Sequence, residues 1–203
     1  MRVKTEEMRK HFIYTAGKLF VEQGFANVSI EMIASKAKKS KVTLYNYYSS
    51  KDDLLKAYIF EIGKDLVENI PKILLKQGQS VSETLTELAK SYLSLNTYQE
   101  IVELNRLMIA EAKRFPELVE YYYKHGPYRV FLYIAEVLEY LMDQNLLIKA
   151  DKNLMAQQFK ALCDGKFLEA QLWGLVTTEN FSERDIDLHI QQTINTFLKI
   201  YQI

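Results

Sequence analysis

The stretch Lys39-Ser40-Lys41-Val42-Thr43-Leu44-Tyr45-Asn46-Tyr47-Tyr48 holds the residue types and spacing best suited to surface chemistry. Ser40 has the side chain of a helix N-cap, and Leu44 and Tyr48 fall one turn apart on one face. Lys41, Thr43, Tyr45 and Tyr47 then occupy other faces. A helix over 40–48, held by its apolar side, is free to read a polyanion with the rest. It would span roughly 13 Å, close to the ~12 Å width of a B-DNA major groove. Taken singly, a lysine-rich turn is a solvated surface and tyrosines at helical spacing are core. The joint pattern of cap, spacing, basic turn and outward aromatics points instead to a recognition helix.

Such a helix needs elements to position it. From Arg9 to Gln23, Phe12, Ala16, Leu19 and Phe20 recur at the spacing of one helix face, and Gly24 stands where a terminating glycine belongs. Ser29 caps a short second helix with Ile30, Ile33, Ala34 and Ala37 inward. Phe12, Leu19, Phe20, Ile33, Ala34, Leu44 and Tyr48 are the expected miniature core of this trihelical head.

Composition agrees. Seven Gly and three Pro in 203 residues are too few for a hairpin-rich fold, and 48% hydrophobic content suffices for a core, so the expected class is all-α. The net charge is zero but unevenly spread: residues 1–56 hold eleven Lys or Arg against six acids, an excess of five that the remainder reverses. A basic head on an acidic body is the footprint of a polyanion binder. A single Cys163 and the lack of a charged-then-apolar leader lead us to expect the cytoplasm, and no apolar run reaches the about 20 residues of a membrane span.

Leu19-Phe20-Val21-Glu22-Gln23-Gly24-Phe25, Ile33-Ala34, the 40–48 stretch and Ser50-Lys51-Asp52-Asp53-Leu54-Leu55 resemble the DNA-binding domain of the TetR/AcrR family of bacterial regulators. The resemblance implies that Ser29 and Ser40 offer hydroxyls and amides to phosphates. It further implies that Lys41, Thr43, Tyr45 and Tyr47 face the groove and that Lys51 pairs with a phosphate. Two departures stand out. Lys38-Lys39 replace the usual Gly-Val, which adds charge at the groove edge while giving up a glycine's easy left-handed turn, and Val42 replaces a Gly where a thymine methyl could be met. Arg114-Phe115-Pro116-Glu117-Leu118, with Tyr122 and Gly126-Pro127, resembles the C-terminal domain of an AefR-like branch of the family.

We therefore divide the chain into a DNA-binding domain (1–52) and a ligand-binding and dimerisation domain (53–203). Ser50 and Asp53 open a long helix striped by Leu54, Tyr58, Ile62, Leu66 and Ile70 up to Pro71. Further helices are expected from Ser80 or Ser82 to Leu95, from Gln99 to Phe115 with Ala112 inward, from Pro116 to Gly126, and from Pro127 to about Gln144. Tyr92, Met108, Glu111, Tyr122, His125 and Arg129 place polar tips among apolar neighbours, the make-up of a small-molecule effector pocket. His125 beside Gly126 equally suits a helix C-terminus, and Cys163 suits inert packing. From Asn153 to Leu175 more than one face is apolar. Phe159, Cys163 and Phe167, with Ile186, Ile190, Ile194 and Phe197 of the last helix, are the expected homodimer face. Two-fold pairing would put the recognition helices about 34–36 Å apart, on a palindromic operator.

An all-helical enzyme and a protein-binding adaptor are the competing classes. Three scattered His, one Cys, and no GxGxxG, GxxxxGK[ST], HExxH or CxxC leave the enzyme without a catalytic constellation, and no cofactor is expected. Duplex DNA binding that falls steeply with salt separates a regulator from an adaptor.

Overall fold

A computed structural model describes residues 5–68, 79–176 and 180–203. Among these the chain forms ten α-helices and no strand: α1 Glu6–Gln23, α2 Ile30–Lys36, α3 Lys41–Tyr45, α4 Lys51–Glu68, α5 Val81–Asn96, α6 Gln99–Glu111, α7 Pro116–His125, α8 Pro127–Asp143, α9 Lys152–Leu172 and α10 Glu183–Tyr201. The positions Arg2, Lys4, Ile70 and Pro71 lie outside the described residues.

Most helix starts are local chemistry. Thr5, Ser29, Ser40, Ser80, Asp151 and Ser182 each accept a hydrogen bond from a first-turn backbone N–H, which satisfies donors that no helix turn can reach. Ser80 with Glu83, and Ser182 with Asp185, close full capping boxes. α1 begins three residues before the expected Arg9 because Thr5 caps it and Glu6 and Glu7 suit the positive end of its dipole. Ser50 Oγ accepts from the Asp53 N–H at 3.0 Å, while the Asp53 carboxylate takes the Ser49 hydroxyl instead of completing the box. Pro116 and Pro127 open α7 and α8, where a missing N–H costs nothing.

The chain clusters into two compact units. The first comprises the described residues up to Asp65 with Glu103–Gly126, and the second those of Leu66–Val102 with Pro127–Ile203. In the first, α1, α2 and α3 pack over Phe12, Leu19, Phe20, Ile33, Ala34, Leu44 and Tyr48, all buried as the sequence suggests, with Leu54, Tyr58 and Ile62 of α4 buried as well. Ala112 is exposed, because α6 stops at Glu111 and a turn follows. In the second unit, α5, α8, α9 and α10 enclose a continuous core that includes Leu85, Tyr92, Leu138, Phe159, Phe167, Ile194 and Phe197. There α9 is broken at Gly165 (φ 38°, ψ −132°), so the unbroken 153–175 helix expected from periodicity is two pieces ending at Leu172.

Candidate nucleic-acid interface

The interface is built from the turn at Lys38 and from α3. Lys38 sits at φ 53°, the left-handed region where a branched Cα is disfavoured, so the chain turns there without the glycine that would make it easy. The Ser40 hydroxyl then accepts from the Thr43 N–H at 3.1 Å and lies 2.8 Å from the Thr43 hydroxyl. α3 is five residues long, shorter than the nine expected, since Asn46 and Tyr47 close as a turn. Its length is about 7.5 Å. Leu44 anchors it at zero exposure, and Val42, at 71%, and Tyr45, at 47%, project outward.

Lys38, Lys39, Ser40 and Lys41 are exposed with them, and Thr43 is half-buried. Together they form a patch of positive charge, one apolar tip and one aromatic ring, which suits phosphate and base-edge contacts. The Lys41 ammonium is paired with Glu31 of α2 and lies 5.7 Å from the Tyr45 ring centre. That hydrogen bond lowers the Glu31 carboxyl below its usual range and raises the Lys41 amine. Ser29 is half-buried at the start of α2, its hydroxyl taken by the Met32 N–H.

Two expected contacts are used otherwise. The Tyr47 ring packs on Phe12, centroids 5.5 Å apart, and its hydroxyl accepts from the Thr5 N–H at 3.2 Å, so Tyr47 fastens the head together. Lys51 donates to the Phe25 carbonyl at 2.7 Å and sits 4.4 Å from the Phe25 ring centre; burial lowers its amine. Its ammonium is held by the α1–α2 turn. Sequence reading missed Glu31, and also His11, whose Nε2 lies 3.1 Å from the Ala37 carbonyl at the end of α2. Neither carries a local spacing signal, since both partners are distant in sequence.

The expected effector residues are divided. Met108, Glu111, Tyr122 and His125 belong to the first unit and Tyr92 and Arg129 to the second. Tyr122 donates to Asn105 at 2.6 Å, His125 is exposed with its ring stacked on Tyr121 and Nδ1 2.8 Å from the Tyr121 carbonyl, and Arg129 is exposed. Burial raises the hydroxyl of Tyr122 and, with the neighbouring Asp164 charge, that of Tyr92, which donates to Asp164 at 2.5 Å. Beside Tyr92 a recess lined by Leu88, Ser91, Leu95, Val130, Tyr133 and Ile134 holds about 10 Å³, room for about one water.

The expected dimer face needs a correction. Phe159, Cys163, Phe167, Ile190, Ile194 and Phe197 are buried within the second unit and Ile186 is packed against it, with the Phe159 and Phe197 rings edge to face at 5.1 Å. A side chain with no exposed area cannot meet a second copy. Burial also pushes the Cys163 thiol up, which leaves it inert.

A small helical head that displays a basic, capped, outward-facing helix defines a helix-turn-helix DNA-binding protein. Comparison with known proteins makes the class specific. The pattern of the bacterial regulatory proteins of the tetR family matches residues 13–58, and that of the AefR-like transcriptional repressor C-terminal domain matches residues 83–203. The solved structure of the flavonoid-responsive regulator FrrA is 31% identical, with a TM-score of 0.82 over 98% of each chain. A TetR-family regulator from Mesorhizobium loti MAFF303099 shares the fold, with a TM-score of 0.85 over the whole of both chains at 22% identity. Among characterised relatives, the nicotine-responsive repressor HdnoR of Paenarthrobacter nicotinovorans is 27% identical over 56% of this chain and 74% of its own. The chain belongs to the TetR family, with an AefR-like C-terminal domain, and is a DNA-binding transcriptional regulator.

Proposed function

We propose that this regulator is a homodimeric repressor that binds a palindromic operator through residues 38–45 and responds to a small organic effector. The observation that carries the DNA-binding surface is the exposure of Lys41, Val42 and Tyr45 on a helix whose Leu44 is fully buried. Ser40, Lys38 and Lys39 flank them as phosphate partners, with Ser29 at the start of α2. The nicotine response of HdnoR and the flavonoid response of FrrA support a ring-bearing effector, held by the 53–203 region. A second copy would pair through outward residues of α9 and α10, where Leu154, Leu188 and Ile200 are exposed, rather than through their buried stripe. The protein would act in the cytoplasm. Effector and operator affinities are then reciprocally coupled.

Selection of bound duplexes from random DNA should return an inverted repeat, and a screen of nitrogen heterocycles and flavonoids against that complex should release it. Lys41→Ala with Tyr45→Ala should abolish preference for the selected duplex while leaving far-UV helicity intact. An undiminished preference would remove α3 from the interface. Sedimentation should give about twice the 23.8 kDa chain mass, and a chain mass alone would remove the dimer.

A further inference from the structure

The α1–α2 turn, which carries Ser29 and aims α2 beneath α3, is gripped from a segment far away in sequence. The Ala26 N–H donates to Glu111 Oε1 at 3.1 Å, across 85 residues. Glu111 is the last residue of α6 and is buried. It approaches the turn closely, since a Cβ built on Gly24 would lie 3.5 Å from the same oxygen. Four residues on, Phe115 presents its ring edge-on to Phe25, centroids 4.9 Å apart at 87°. The two grips are coupled, because the Phe115 N–H donates to the Glu111 carbonyl at 2.9 Å. On the other side Lys51 holds the Phe25 and Ala26 carbonyls at 2.7 and 3.4 Å. The backbone at Phe25 and Ala26 is thus fixed at the Ala26 N–H by α6 and at both carbonyls by α4.

We infer that Glu111 and Phe115 are positioning residues for operator binding, setting the α1–α2 turn and through it the presentation of Ser29 and Lys41 to DNA. The role separates from electrostatics by sign. An acidic side chain does not attract phosphates, so its neutral isostere Gln should not weaken binding through charge. Removing the acceptor should loosen the turn and weaken binding.

The test compares Glu111→Gln, which keeps an acceptor oxygen and drops the charge, with Glu111→Ala, which drops both, and with Phe115→Ala. Affinity for the duplex selected by the unaltered chain is measured together with hydrogen exchange at the Ala26 amide and with helicity by circular dichroism. Expected are about tenfold weaker binding and faster Ala26 exchange in Glu111→Ala and Phe115→Ala, with Glu111→Gln at or above parent affinity and its Ala26 amide still protected. Glu111→Ala binding as tightly as the parent, or all three variants weakened alike, would overturn the assignment. Because exchange at Ala26 is read without DNA, a loosened turn is seen even where a variant's DNA affinity is too low to measure.

Discussion

At the scale of single residues, the interface is a compromise between folding and charge. Lys38 holds a left-handed conformation that a glycine adopts freely, and it adds a cation at the edge of the exposed patch. Lys38→Gly should therefore change two observables in opposite senses. Thermal unfolding should shift toward greater stability, by about 1 kcal/mol at most, because glycine's larger unfolded-state entropy offsets part of the relieved strain. The slope of log affinity against log salt should shrink by about 1 as one phosphate contact is lost. Glu31 makes a complementary case. Its carboxylate occupies the Lys41 ammonium in the free protein and must release it before a phosphate can replace it. Glu31→Gln should accordingly raise affinity for any duplex several-fold at low salt. It should raise it less for the selected duplex relative to random DNA, since freeing a phosphate-directed cation adds no base reading. A titration against both duplexes at two salt concentrations checks this.

These residues also mark where sequence stops being informative. Ser40 and its turn were legible because a cap and the backbone N–H that donates to it lie within three residues. Glu31 with Lys41, His11 with Ala37, and Glu111 with Ala26 join residues 10, 26 and 85 apart, and nothing in residue type or period announces such pairs. Lys51 and Tyr47 had the right chemistry for DNA, but the fold offers each a nearer partner: two carbonyls for the amine, and Phe12 with the Thr5 N–H for the tyrosine.

At the scale of elements, helical periodicity identified which faces are apolar without identifying what covers them. The Phe159, Cys163, Phe167 stripe and the Ile190, Ile194, Phe197 stripe do face a partner, but it is the core they share within the second unit. The break at Gly165 escaped notice for a related reason. A lone glycine inside an apolar pattern reads as tolerated, whereas here His189 of α10 fills the space a Cβ would need and lies 2.9 Å from the Cys163 carbonyl through Nε2. A buried glycine of the first unit makes the element-scale prediction. Gly17 of α1 lets that helix meet α4 closely, because a Cβ there would overlap the Tyr58 ring. Gly17→Ala gains helix propensity of up to about 1 kcal/mol but forces α1 and α4 apart, an overpacking cost of about 1–3 kcal/mol. The variant should be less stable in urea unfolding, and pairing it with Tyr58→Leu should recover part of the loss, because a smaller side chain vacates the overlap.

At the scale of the whole molecule, pH dependence follows from groups on several helices. Asp53 beside the Ser49 hydroxyl, Glu31 beside Lys41, Glu83 at the Ser80 N–H and Glu120 beside Lys124 all have carboxyls lowered by those contacts. The unfolded chain therefore takes up their protons first. Their contribution is present above the ordinary carboxylate range, ~4, and fades as pH falls through the folded values. They are surface groups, so this acid-side decline should be shallow and weakened by salt. The alkaline side is governed by buried groups. Burial raises the Cys163 thiol and the Tyr92 and Tyr122 hydroxyls, so the unfolded chain loses those protons first, and stability held below the ordinary thiol value of ~8.5 drops as pH rises past it. Lys51, lowered by burial, acts in the opposite sense, but the Tyr48 hydroxyl and the Lys41 and Lys152 amines are raised and act with the other three. The unfolding midpoint should thus be flat between about pH 5 and 8 and fall more steeply above pH ~9 than below pH ~4. Of the fourteen tyrosines, Tyr92 and Tyr122 should ionise only as helicity is lost. Tyrosinate absorbance and circular dichroism recorded through one alkaline titration check this, and full ionisation near pH ~10 with helicity intact would contradict the burial of those two hydroxyls.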